Sequence, residues 1–226
     1  MKHNIKRFTF IGQTFEEYTH MFNLTQDELE NNTFLDCPGG ACSFTAEARE
    51  KGIQAHAIDS EYGAPYLIFQ TQCITEVEQL KLGFQDTSDS YNWSFYKNLQ
   101  GLLQYRKQAA LTFLRDYRTH PQHYIQGDLP HLNQPDNHVD IVLSGHFLCL
   151  YNDRLSLDFH RLAIKELLRI AKKEVRIYPL IGLDTQPYKH LPNIINALQN
   201  EGYTVTKETI AFAFLKGSNQ FLKIKK

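Results

Sequence analysis

Acidic residues and glycines occur where two apolar segments of the chain end. In the stretch TFLDCPGGACSF, Asp36 closes an apolar segment, and Gly39 and Gly40 follow in a turn. The next apolar segment, in IQAHAIDSEYG, ends at Asp59. Glycine lets a ligand approach the backbone closely, and a carboxylate at a strand end can accept both hydroxyls of a ribose. The pattern therefore predicts a site for a nucleoside-bearing cofactor.

Short apolar segments alternate with amphipathic helical stretches, which favours an α/β fold with a mostly parallel sheet. No repeat or linker divides the 226 residues, so we expect a single domain over 1–226. Gly217-Ser218-Asn219 has a tight-turn composition and predicts a terminal hairpin. The predicted strands cover about 33–37, 54–58, 124–126, 139–143, 174–179, 203–215 and 221–225. The predicted helices cover about 43–51, with Ser43 as the N-cap, 156–173 and 191–201.

The segment between the second and third predicted strands is longer than one crossover helix requires. Residues 62–119 are therefore expected to form a helical insertion that shapes a pocket. Two interpretations stay open, because the segment could act as a lid or could simply extend the core. Apolar residues recur there at helical spacing, at Leu99, Leu102, Leu103, Ala110, Phe113, Leu114 and Tyr117.

Composition excludes several functional classes. The chain has 24 Lys and Arg against 25 Asp and Glu, a net charge of −1, which argues against a protein that coats nucleic acid. It has neither an apolar run of membrane-spanning length nor a secretory signal pattern, and its 4 cysteines do not form a disulfide framework. We expect a cytoplasmic protein without a membrane segment. Histidines at 120, 123, 131 and 138 lie in polar loops without partner ligands at familiar spacings, so no metal is predicted.

Over nearly its whole length the chain resembles the class I S-adenosylmethionine-dependent methyltransferases, and in particular a bacterial branch of small ones. The family's first motif is an acid followed by glycines at alternate positions. Here Asp36 is followed at those positions by Pro38, Gly40 and Cys42, so only the middle glycine is present. The terminal hairpin matches the family's ending. The resemblance implies a seven-stranded, mostly parallel, Rossmann-like sheet flanked by helices, with an antiparallel C-terminal hairpin.

The resemblance also implies S-adenosylmethionine as the cofactor and assigns roles to individual residues. Asp59 matches the acid that holds the ribose hydroxyls, Asp128 matches the position that reaches the adenine amino group, and Leu129 lies against the ring. The N-terminal stretch TFEEYTHMF would cap the methionine end in many relatives, and the alternative is an amphipathic helix packed on the sheet edge. The implied cofactor-binding residues are Asp36, Cys37, Gly39, Gly40, Asp59, Ser60, Asp128, Leu129, Ser144 and Gly145.

His146 follows the fourth predicted strand and is the candidate catalytic residue. An unperturbed imidazole has a pKa of about 6.5, so it can accept a proton near neutral pH. The alternative is a strand-end histidine that hydrogen-bonds the backbone.

The favoured function is transfer of a methyl group from S-adenosylmethionine to an O, N or S nucleophile of a small molecule. An RNA acceptor is the first alternative, because Pro38-Gly39-Gly40 is similar to the Pro-Gly-Gly of RNA ribose methyltransferases, although here the proline lies nearer the acid. A second alternative is a non-catalytic methyltransferase-like domain that binds a cofactor or a partner. A dinucleotide oxidoreductase is disfavoured, since the chain lacks the Gly-x-Gly-x-x-Gly pattern.

Overall fold

A mixed sheet of seven strands, in the order β3-β2-β1-β4-β5-β7-β6, forms the centre of the molecule. It is seen in a computed structural model that describes residues 8–83 and 90–226, without the side chains of 81–83. The strands are β1 (Phe34–Asp36), β2 (Ala55–Asp59), β3 (Tyr124–Gln126), β4 (Val139–Gly145), β5 (Ala171–Tyr178), β6 (Thr204–Thr209) and β7 (Gln220–Lys225). The helices are α1 (Phe15–Met21), α2 (Gln26–Asn31), α3 (Phe44–Glu50), α4 (Tyr66–Gly83), α5 (Leu99–Thr119), α6 (Leu157–Ile170) and α7 (Leu191–Asn200).

The strand directions confirm the predicted fold. Strands β1 to β5 pair in parallel, whereas β7 lies antiparallel between β5 and β6. This is the mostly parallel, seven-stranded sheet with a C-terminal hairpin that the class I methyltransferase resemblance implies. The five parallel strands end at one edge of the sheet, at Asp36, Asp59, Gln126, Gly145 and Tyr178.

Both faces of the sheet are covered, and the alternation of side chains along β1 shows how. Leu35 belongs to the core on one face, where α6 buries Leu167. Phe34 belongs to the core on the opposite face, where it packs edge-on against Phe44 of α3 with 5.9 Å between ring centroids. The side chain of Asp36 shares the face of Phe34 and is therefore directed toward the helices that cover it.

Residues 62–119 contain α4 and α5, which contact each other. The apolar stripe noted in the sequence lies on α5, whose buried residues include Leu102, Ala110, Phe113 and Leu114. Helix α5 also contacts α3, so part of this segment extends the core. Among the described residues, no helix has the length and apolar character needed to cross a bilayer.

Two local predictions were wrong. The strand predicted over 203–215 ends at Thr209, because Phe212 leaves the sheet and is buried among aromatic side chains on the α1 face. The helix predicted to reach 173 ends at Ile170, and β5 begins at once with Ala171. Ser43 does lie at the N-cap of α3 as predicted, but its hydroxyl makes no capping hydrogen bond, since it donates to the carboxylate of Glu47 instead.

Candidate functional site

A cavity of about 880 Å³ opens at the carboxyl edge of the sheet. The loops that follow β1, β2, β3 and β4 line one part of it. The N-terminal segment, helices α4 and α5, the residues just before α5, the loop after β5 and the β6–β7 connection also line it. A volume of this size lies near the upper end for small-molecule sites and leaves room for a cofactor and a second ligand.

Nine of the eleven residues predicted for the site line this cavity. The two exceptions are Asp36 and Ser144, which are buried beside it; Ser144 Oγ has no hydrogen-bond partner among the described residues. The nine are Cys37, Gly39, Gly40, Asp59, Ser60, Asp128, Leu129, Gly145 and His146.

The turn after β1 depends on its two glycines for different reasons. The Gly39 N–H donates to the carbonyl of Ile58 at 2.8 Å, and a Cβ on Gly39 would lie 2.6 Å from Tyr62 Oη, so a side chain does not fit. Gly40 has φ +52°, in the left-handed region, and a Cβ there would meet no atom within 4 Å. The turn therefore presents bare backbone to the cavity at Gly40.

The carboxylate of Asp59 connects the loop after β1 with the loop after β2 through hydrogen bonds. Its Oδ2 accepts the Gly40 N–H at 2.9 Å, and its Oδ1 accepts the Glu61 N–H at 3.0 Å. The residue is only 7% exposed, and burial raises the pKa of its carboxyl, an effect that the two backbone donors oppose. A carboxylate has about four acceptor positions, so further hydroxyl donors can be accommodated.

The loop after β3 lies against the end of β2. The Gly127 N–H donates to the main-chain carbonyl of Asp59 at 3.1 Å, and the carbonyl of Asp128 accepts the His131 N–H at 3.1 Å. These bonds bring Asp128 and Leu129 to the cavity wall. Strand-end carboxylates of β2 and β3 are thus neighbours in one site.

His146 lies just past the end of β4 with φ +52°, and its N–H donates to the carbonyl of Tyr178 at 2.7 Å. The imidazole packs edge-on against the ring of Tyr178, with centroids 5.2 Å apart. Its Nδ1 is buried and has no hydrogen-bond partner among the described residues. Burial, with a further contribution from the Arg106 cation, lowers the pKa of His146 to about 3. The ring is therefore neutral at physiological pH.

The N-terminal helix packs on the sheet and does not cap the cavity. Tyr18, Met21 and Phe22 are fully buried, and the Tyr18 ring stacks on Phe44 with 4.9 Å between centroids. None of these three side chains lines the cavity described here. The alternative interpretation of TFEEYTHMF, a helix packed against the sheet, is the one that the structure shows.

A buried ion pair in the cavity wall was missed by the sequence analysis. Arg106 of α5 donates to the carboxylate of Glu17 on α1 and to the carbonyl of Gly12, and Tyr96 Oη lies 2.8 Å from the guanidinium. The side chains of Arg106 and Glu17 are 5% and 0% exposed. Among the described residues that line the cavity, Arg106 is the only Arg or Lys. No sequence pattern links residues this far apart.

In the part of the chain that the structure describes, no group of three or more His, Cys, Asp or Glu side chains could hold a metal ion. His123 packs against His56, with ring centroids 5.0 Å apart, rather than joining a ligand set.

Comparison with known proteins finds a relative along the whole chain. The uncharacterized protein MJ0045 of Methanocaldococcus jannaschii is 32% identical over 224 residues, which are 99% of this chain and 98% of the relative. The chain belongs to the MJ0045 family. No family model matches it.

Two solved structures are similar to this MJ0045-family chain at low identity. Magnesium protoporphyrin IX methyltransferase of Synechocystis PCC 6803 is 10% identical, with a TM-score of 0.49 over 94% of this chain and 77% of that one. A SAM-dependent methyltransferase of Aquifex aeolicus is 13% identical, with a TM-score of 0.44 over 93% of this chain and 87% of that one.

Proposed function

We propose that the protein binds S-adenosylmethionine in the cavity at the carboxyl edge of the sheet and transfers its methyl group to an O, N or S nucleophile of a small molecule. The observation that carries the proposal is the convergence of the Gly39-Gly40 turn, Asp59 and Asp128 on one cavity. They meet at the edge where open α/β sheets bind ligands.

The residues present fit this cofactor. Asp59 is held by backbone donors from two loops, and its remaining acceptor positions would take the ribose hydroxyls. Asp128 and Leu129 would hold the adenine amino group and ring, while Gly40 allows close approach of the backbone. When bound, S-adenosylmethionine supplies a methyl group that its sulfonium already activates.

The charges of the cavity wall suit a cationic centre. Asp59 and Asp128 contribute carboxyl groups to its described part, where the Arg106 cation is paired with the Glu17 carboxylate. Opposite charge favours a buried sulfonium, because an isolated charge is expensive to remove from water.

We propose that His146 orients the methyl acceptor and does not act as the base that keeps the proton lost by the acceptor. With a pKa of about 3, its neutral ring can share a hydrogen bond with the nucleophile, but its protonated form gives the proton up readily. An activated methyl donor needs mainly an aligned nucleophile, and alignment alone can supply much of the rate. The residue's role is then a positioning one at the methyl-transfer end.

The first experiment is calorimetric titration with S-adenosylhomocysteine, the product form of the cofactor, with NAD as the control ligand. Micromolar binding of S-adenosylhomocysteine alone supports the proposal. Binding of NAD alone contradicts it and favours a dinucleotide enzyme. Binding of S-adenosylhomocysteine without methyl transfer to any acceptor would favour the non-catalytic alternative, to which the residues Pro38 and Cys42 at glycine positions also point.

A further inference from the structure

Both main-chain polar groups of Gly40 are bonded to side chains from the end of β2 and the loop after it. The Gly40 N–H donates to the Asp59 carboxylate at 2.9 Å, and the Gly40 carbonyl accepts the Tyr62 hydroxyl at 2.7 Å. The two bonds hold the peptide planes on either side of Gly40, and so they fix its backbone in a conformation with φ +52°. Glycine adopts several backbone conformations at similar cost, so without these bonds Gly40 would not be confined to this one.

The ring of Tyr62 is packed on several sides, so its hydroxyl has a fixed place. Tyr62 is fully buried, with the ring of Phe113 stacked at 5.9 Å between centroids and that of Tyr124 edge-on at 5.5 Å. Phe113 belongs to α5 and Tyr124 to β3. Burial raises the pKa of the Tyr62 hydroxyl, which therefore keeps the proton that it donates to Gly40.

Any effect of Tyr62 on a ligand would pass through the glycine turn. Gly39, Gly40 and Asp59 line the cavity described here, whereas Tyr62 lies behind them and does not. The Tyr62 oxygen occupies the space that a side chain at Gly39 would need. Tyr62 thus supports two groups of the cavity wall, which are the bare backbone at Gly40 and, through the Gly40 N–H, the carboxylate of Asp59.

We infer that Tyr62 is a positioning residue for the cofactor, because it holds Gly40, and through it Asp59, in the arrangement that receives the ribose. The inference rests on the proposed function, since it takes Asp59 as the acid that binds the ribose hydroxyls. A site that is ordered before binding loses less free energy when the ligand arrives. Loss of the Tyr62 hydroxyl should therefore weaken cofactor binding although no contact to the cofactor is removed.

Tyr62→Phe removes the hydroxyl and keeps the packed ring. By calorimetry we expect about fivefold weaker binding of S-adenosylhomocysteine, the effect of losing one hydrogen bond that orders the site. Tyr124→Phe is the matched control, because the Tyr124 hydroxyl belongs to the same aromatic cluster but bonds Asp116 of α5 at 3.0 Å. Its affinity for S-adenosylhomocysteine should equal that of the wild type. An unchanged affinity in Tyr62→Phe, or an equal loss in both variants, contradicts the inference.

A double-mutant cycle with Asp59→Asn separates positioning from an unrelated loss of structure. If Tyr62 acts through Gly40 and Asp59, the loss of affinity in the double variant is smaller than the product of the two single losses. A loss equal to that product shows that the two side chains act independently, and it contradicts the inference.

Hydrogen exchange in the ligand-free protein tests the turn without the cofactor. We expect the Gly40 amide to exchange about fivefold faster in Tyr62→Phe than in the wild type or in Tyr124→Phe, because the turn opens more readily. Equal exchange in the three proteins contradicts the inference. If the exchange changes as expected but the wild-type protein does not bind S-adenosylhomocysteine, the turn is held by Tyr62 and the proposed function is contradicted instead.

Discussion

The hydroxyl of Tyr18 lies 2.9 Å and 3.0 Å from the two carboxylate oxygens of Asp36, and both residues are fully buried. Burial raises the pKa of the Asp36 carboxyl and of the Tyr18 hydroxyl. The Cys42 Sγ lies 3.2 Å from the same hydroxyl and 3.2 Å from Gln13 Oε1. The acid of the first motif therefore links β1 to the N-terminal helix.

Replacing Tyr18 by Phe removes the donor and leaves the Asp36 carboxyl buried without it. We expect the free energy of unfolding to fall by about 1–3 kcal/mol, measured by urea denaturation. Tyr105→Phe is the matched control, because the Tyr105 hydroxyl bonds Glu16 at an exposed position and its loss should change stability by less than about 0.5 kcal/mol. Equal losses of stability in the two variants would contradict this prediction, because the buried Tyr18–Asp36 hydrogen bond would then contribute no more than the exposed Tyr105–Glu16 bond.

Replacing Asp59 by Asn keeps the shape of the side chain and removes its charge. We expect about 10- to 100-fold weaker binding of S-adenosylhomocysteine, because hydroxyl donors lose a charged acceptor. Asp140→Asn serves as the control. Asp140 lies near the start of β4, at the end of the strand away from the cavity, and its carboxylate accepts hydrogen bonds from the N–H and the hydroxyl of Thr33. An unchanged dissociation constant for Asp59→Asn would refute the ribose assignment.

Removing one member of the Arg106–Glu17 pair leaves a buried charge without its partner. We expect Arg106→Met alone to destabilise the protein by about 3–5 kcal/mol, and the double variant Arg106→Met with Glu17→Gln to recover much of that loss. Urea denaturation of the four proteins of this cycle measures the coupling. The exposed pair of Arg115 and Glu50 is the comparison, and its coupling should stay below about 1 kcal/mol. If the changes in the free energy of unfolding caused by Arg106→Met and Glu17→Gln simply add in the double variant, the two side chains are not coupled and the prediction is contradicted.

His146 predicts a specific loss of stability in acid. Its pKa is about 3 in the folded protein, against about 6.5 in an unfolded chain. Between these values the unfolded state binds more protons, so the free energy of unfolding falls as the pH falls. From pH 7 to pH 5 the His146 contribution should decrease by about 2 kcal/mol. His146→Gln removes this titration, so a pH dependence equal to that of the wild type would contradict it.

The sequence was sufficient to predict the sheet and most of the residues that line the cavity at its carboxyl edge, because those signals are local. Gly39 and Gly40 lie in the turn after β1 and Asp59 is the last residue of β2, and parallel strands bring such ends together. The position of Asp36 was predicted, but its side-chain direction was not. It shares a sheet face with Phe34 and therefore meets Tyr18 instead of the cavity.

The remaining features depend on tertiary contacts that no local pattern encodes. Arg106 and Glu17 belong to two helices, α5 and α1, that are separated by two strands in the chain. From its local sequence alone, each residue would be predicted to be an exposed charge. The segment after Thr209 continues a β-like composition, yet Phe212 gains more by burial on the α1 face than by extending an edge strand. Tertiary burial overrides local propensity at both places.

The Arg106–Glu17 pair also bears on how ligands reach the cavity. If α5 moved away from α1, this buried pair would be broken, and separating two buried charges is costly. We therefore expect α5 to stay packed on α1 while ligands enter and leave the cavity. The way in for a ligand is then expected to open elsewhere around the cavity rim, and this helix pair is the part of the wall whose shape should change least.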